Sequence, residues 1–140
     1  MRTALLCFAL LTVPCHRVSE AECLVPRPPC EALAAATIVA VVDVIEAAEP
    51  FERSANQSRP IPQAVRLRIV ERFKGVSPLE REISGKIHNN AESVFLAAGK
   101  RYLLYVHQLP DGIWWTSCTR TKAVQAAKVE LSQLRQCVQK

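Results

Sequence analysis

The chain has 140 residues, 49% of them hydrophobic, and carries a formal net charge of +5. That length holds one domain around a single core, and no second domain is needed to account for it. The mildly basic balance permits acidic partners without demanding them.

The first residues read as an export signal. Met1-Arg2-Thr3 gives a positive start, Ala4 to Val13 forms an apolar run, and Pro14 ends it. Ser19-Glu20-Ala21 then places small residues at the −3 and −1 positions of a signal-peptidase site, so cleavage is expected after Ala21. A run of about ten apolar residues falls well short of the roughly 20 needed to cross a bilayer. Residues 1–21 are thus expected to be a signal peptide and residues 22–140 a secreted or periplasmic domain with no membrane contact after cleavage. Cys7 and Cys15 leave with the signal, while Cys23, Cys30, Cys118 and Cys137 remain. An even number in an exported chain implies two disulfides, and three pairings are open. A zinc site is disfavoured because the Cys-x2-Cys knuckles usual for such sites are missing.

Cys23 to Pro29 is an extended, proline-interrupted arm, and Cys30 to Ala36 predicts a short helical turn. Thr37 to Ile45 is rich in β-branched residues and predicts a buried first strand. Glu49 to Pro62 is polar, contains two prolines and reads as a loop; Asn56-Gln57-Ser58 within it is a glycosylation acceptor only in a eukaryotic source. In the next segment Val65, Leu67, Ile69 and Phe73 alternate with Arg66, Arg68, Arg72 and Lys74, the period of a strand with one face in water. Glu80 to Ile87, Arg101 to His107 and Ile113 to Cys118 predict three more strands, separated by turns at Asn89-Asn90, Ala98-Gly99 and Pro110-Asp111-Gly112. Val124, Ala127, Leu131, Leu134 and Val138 then recur at helical spacing, with Thr121 as the expected N-cap. Five strands and a terminal helix describe a mainly β fold, a five-stranded Greek-key barrel of the oligonucleotide/oligosaccharide-binding (OB) kind; a β-sandwich is the competitor.

Three stretches, in order, resemble the netrin-like family and, within it, the tissue inhibitors of metalloproteinases and their bacterial single-domain relatives. Val65 to Gly75 is similar to the family's second strand, which alternates and ends in an aromatic residue followed by Lys-Gly. Gly99-Lys100-Arg101-Tyr102-Leu103 resembles its Gly-x-x-Tyr-Leu strand, and Ser117-Cys118-Thr119-Arg120-Thr121 its Ser-x-Cys-x-Arg-Thr segment. The resemblance spans nearly all of residues 22–140. It implies disulfides Cys23 to Cys118 and Cys30 to Cys137, and a protein partner, a zinc metalloprotease, met through the N-terminal residues Glu22, Cys23, Leu24 and Val25.

Two departures bear on that function. The family's inhibitors begin Cys-x-Cys and chelate the protease zinc through the first cysteine; here that position falls on Ala21, within the signal. The family's Cys-Gly before its Phe is replaced by Ala91-Glu92-Ser93-Val94-Phe95. Both losses remove one bond that holds the inhibitory ridge rigid, so the expectation is a weak or divergent metalloendopeptidase inhibitor, since preorganisation underlies such affinity.

No catalytic motif is present: no His-Glu-x-x-His, Cys-x-x-Cys, glycine-rich phosphate loop or Gly-x-Ser-x-Gly. The expectation is a non-enzymatic binding module without a cofactor or metal, with His88 and His107 as surface residues. The alternative function is polyanion or glycan binding through the basic strand row Arg66, Arg68, Arg72 and Lys74. Of Trp114 and Trp115, adjacent on a strand, at least one is expected to serve the core.

Overall fold

The computed structural model describes residues 27–48, 62–88, 95–116 and 120–139. The expected signal peptide, the arm Glu22 to Val25, Cys23, Cys118, the Asn56 sequon and Ala91 to Val94 lie outside these residues.

A short helix, α1 (Pro29–Ala35), opens the described chain. Pro29 at its first position has no N–H to leave unsatisfied, and Glu31 complements the positive end of the helix dipole. The helix stops where Ala36 turns extended, and its last carbonyls are met from outside: Lys74 Nζ donates to Leu33 O at 3.2 Å and to Ala34 O at 2.5 Å.

Six strands follow: β1 (Ile38–Ala47), β2 (Gln63–Lys74), β3 (Glu82–Ile87), β4 (Arg101–Gln108), β5 (Trp114–Thr116) and β6 (Lys122–Ala123). All belong to one sheet. β1 pairs antiparallel with both β2 and β4, β2 pairs with β3, and β4 pairs with β5 and, further along, with β6. The remaining contact is parallel and consists of one rung, Ile87 to Trp114, between β3 and β5. The pairings therefore run in a ring through β1, β2, β3, β5 and β4. Three register shifts along the β1–β2 ladder, between Val39/Ala40, Val41/Val42 and Val44/Glu46, add the twist that bends two long strands round it.

β1 and β4 are buried on both faces, which explains their nearly continuous apolar sequences. Ala40, Val42 and Val44 of β1 join Val65, Leu67 and Ile69 of β2, Tyr102, Leu104 and Val106 of β4, and Trp114 in one core cluster. Val39, Val41, Leu103 and Tyr105 point the other way, into a second cluster closed by Ala32 and Ala36 and by Ala127, Leu131 and Leu134. The alternation predicted for β2 holds for Val65, Leu67 and Ile69, whereas Phe73, skipped at the Val39/Ala40 register shift, packs against the second cluster.

The terminal helix differs from expectation at its start. A single 3-10 turn spans Val124–Ala126, and the α-helix proper, α2, runs Lys128–Val138 with Ala127 at its N-cap. Thr121 does not cap it. Its buried hydroxyl accepts from the Tyr105 N–H at 3.0 Å and donates to the Tyr105 carbonyl at 3.1 Å, so it completes the hydrogen bonding of β4 just before β6 instead. Leu131 and Leu134 face the core as the helical spacing predicts, while Val138 is half exposed.

Cys30 of α1 and Cys137 of α2 form a disulfide with Cα atoms 5.6 Å apart. Such a bond is the chemistry of an oxidising compartment. None of the described helices is long and apolar enough to cross a membrane.

Candidate functional site

The row of cations on β2 reaches the surface, with Arg68 and Arg72 exposed and Arg66 and Lys74 half-buried, but is largely engaged. Arg66 donates to Glu82 at 3.1 Å and forms a closer pair with Glu46, which lowers the Glu46 carboxyl below its usual range. Arg72 turns onto the β2–β3 connection, donating to the carbonyls of Ser77, at 3.2 Å, and Glu80. Lys74 holds the last carbonyls of α1. Arg68 is the exception. Its side chain is 60% exposed and its carboxylate contact, with Glu82 at 3.6 Å, is shared with Arg66.

Strand register explains how Arg68 is placed. Glu82 of β3 lies opposite Arg68 of β2, Arg68 opposite Asp43 of β1, and Asp43 opposite Arg101 of β4. Four strands thus carry a row of alternating charge across the outer face. Arg101 grips Asp43 with two hydrogen bonds of 2.6 and 2.9 Å, and this contact, aided by the charge of Arg68, holds the Asp43 carboxyl below its usual range. Beside the row lies an open cleft of about 790 Å³, lined by Asp43, Arg68, Lys100, Arg101, Ala123 and Gln125 among others. Asp43, Lys100, Arg101 and Gln125 were not candidates on sequence grounds. The one signal is Asp43, a carboxylate set in the apolar run Val41-Val42-Asp43-Val44.

A second polar cluster is buried. Glu130, 6% exposed, lies in the first turn of α2 and accepts from the Tyr105 hydroxyl at 3.0 Å. It also pairs with Arg120 at 3.0 Å and Lys122 at 2.9 Å. The other end of the Arg120 guanidinium donates to the carbonyl of Arg27, where the described arm begins. Burial and the Glu130 charge push the Tyr105 hydroxyl well above its usual pKa. Arg120 and Thr121, the last two residues of the Ser-x-Cys-x-Arg-Thr segment, therefore both have structural work: one joins arm to helix and the other completes β4.

His88 follows β3, with its backbone N–H donating to Trp114 O at 2.8 Å, and His107 lies in β4. Both are half-buried. Asp111 accepts from the Ile113 N–H at 3.0 Å within its own turn. Trp114 is buried in the core, and its neighbour Trp115 pairs through its backbone with His107. Among the described residues no three His, Cys, Asp or Glu side chains gather in a way that could hold a metal.

No protein-family model matches this chain, and no curated protein matches it.

Proposed function

We propose that this chain is an exported, non-enzymatic binding module of the netrin-like class, an OB barrel that meets a protein partner through the arm Glu22 to Val25. The ring of strand pairings, with β1 between β2 and β4 and β3 meeting β5, supports the Greek-key barrel. The observation that carries the function is the anchoring of the arm. Three residues after Arg27, Cys30 is covalently joined to α2, and Arg27 itself is held by Arg120, which is fixed in turn by Glu130. The residues ahead of Arg27 therefore leave from a fixed point, the condition under which a short peptide binds without a large ordering cost. A Cys23 to Cys118 bond would add a second tie two residues from Arg120.

The partner class proposed is a zinc metalloprotease, with the amino group and first carbonyl of a chain beginning at Glu22 reaching the metal and inhibition weak or divergent. The basic strand is the less favoured surface, because Arg66, Arg72 and Lys74 are engaged within the fold. Inhibition assays against a panel of zinc proteases, comparing the chain begun at Glu22 with one extended at its N-terminus, test the mechanism. Inhibition by the first alone is expected; equal inhibition by both removes chelation. N-terminal sequencing of the exported protein checks the start at Glu22.

A further inference from the structure

We propose that the cleft beside the Arg68–Asp43–Arg101 row is a subsite for an acidic saccharide unit, whose sulfate or carboxylate is held by Lys100 and Arg68. The floor is fixed by backbone: Gly99 N–H donates to Val44 O at 2.8 Å, and Val44 N–H to Lys100 O at 3.0 Å. This is where β1 shifts register between Val44 and Glu46 and where the chain enters β4. The cleft's volume, about 790 Å³, is that of a ligand site, and its open form admits a segment of a longer chain.

Charge selects an anion. Among the described residues three cations, Arg68, Lys100 and Arg101, line the cleft against one carboxylate, Asp43, which already receives two hydrogen bonds from Arg101. Two more carboxylates stand near, but Glu46 pairs with Arg66, and Glu82 is divided between Arg66 and Arg68. Lys100 forms no ion pair with any described residue. The positive charge left over is that of Lys100 together with the loosely held Arg68.

The rest of the lining selects the class of anion. Among the described residues no aromatic side chain lines the cleft, so none of them stacks a nucleobase there, the main source of affinity for single-stranded nucleic acid. The amide of Gln125 and the remaining lone pairs of Asp43 instead offer donors and acceptors for hydroxyl groups, beside short apolar walls at Val44 and Ala123. A charged, hydroxyl-rich, non-aromatic unit fits both sets. This site is independent of the N-terminal arm and of any protease.

The test titrates the full chain with a heparin-derived tetrasaccharide, by calorimetry and by amide NMR shifts, at low and high salt. Shifts are expected at Val44, Gly99 to Arg101 and Gln125, with affinity falling as salt rises. Lys100→Ala and Arg68→Ala should each weaken binding at least fivefold, and Arg72→Ala should leave it within twofold. Both side chains are exposed, and the unchanged amide spectrum of each variant away from the cleft verifies its fold. An absence of binding, shifts centred elsewhere, or an equal loss with Arg72→Ala overturns the site. Equal affinity for a single-stranded oligothymidylate overturns the saccharide class, and equal affinity for neutral maltotetraose overturns ionic recognition.

Discussion

Gly85 lies against the indole of Trp114: a β-carbon placed on it would sit 2.7 Å from three atoms of the ring. The two residues belong to β3 and β5, the strands joined by the parallel rung, so the glycine makes room for the largest side chain in the core at the point where the ring of strands meets. Gly85→Ala is expected to cost about 1–3 kcal/mol through overpacking. Urea denaturation followed by tryptophan fluorescence measures it. In the double variant with Trp114→Phe the combined loss should be smaller than the sum of the two single losses, because the coupling is direct contact.

Breaking the buried cluster at Glu130 should be more damaging. Glu130→Ala leaves the nearly buried Arg120 without its carboxylate, and removing one partner of a buried pair costs about 3–5 kcal/mol. Tyr105→Phe removes one hydrogen bond to a charged carboxylate and leaves both ion pairs, so its expected cost is about 1.5–3 kcal/mol. Equilibrium unfolding of the two variants under one buffer compares them, and similar losses would contradict the assigned roles.

Cys30 and Cys137 are separated by 107 positions. Closing a loop of that size stabilises by about 4–5 kcal/mol in the chain-entropy model. Reduction, or the paired change of both residues to serine, should lower the denaturation midpoint accordingly. Peptide mapping of the unreduced protein should recover Cys30 joined to Cys137 and, if the netrin-like pairing holds, Cys23 joined to Cys118; Cys23 joined to Cys30 would sink both assignments.

Stability should fall in acid. Asp43, through its hydrogen bonds from Arg101, and Glu71, through those from Arg135, have carboxyls whose folded pKa lies below the usual values of 3.8 and 4.5. A depressed folded pKa means that the unfolded chain takes up protons first, so the contribution is full above the usual carboxylate range and is lost as pH falls through the folded values. Denaturation midpoints measured downward from pH 6 should decline below about pH 4.5. Asp43→Asn and Glu71→Gln should each flatten the slope.

The alkaline limb has the opposite sign. Burial, with the nearby Glu130 charge, raises the folded pKa of Tyr105 above its usual 10.0. Its contribution is therefore complete below pH 10 and lost as pH rises toward the folded value. Ultraviolet titration should show Tyr105 ionising only with unfolding, and Tyr105→Phe should remove that part of the signal.

Strands were legible in the sequence wherever one pattern had one cause. Val65, Leu67 and Ile69 alternate because one face of β2 meets the core, and the apolar runs of β1 and β4 are continuous because both of their faces are covered. Side chains whose partners come from distant elements were not legible. Glu130 reads as a solvent-facing helix residue until Arg120, Lys122 and Tyr105 converge on it, and Thr121 reads as a cap until its hydroxyl is found on Tyr105. Gln63 is a similar case: its buried amide donates to Ala48 O and Leu96 O, joining three segments that local pattern keeps apart. The outward course of the basic row on β2 follows from its alternation, but its partners, and so the difference between Arg68 and its neighbours, depend on cross-strand register.

The covalent link between α1 and α2 also decides how the molecule bears load. Tension applied to the arm ahead of Cys30 and resisted near the end of α2 passes through a sulfur–sulfur bond rather than through the hydrogen-bonded ladders. The strands between those two residues lie outside that line of force, so a load borne between Cys30 and the end of α2 stretches the clasp rather than the ladders.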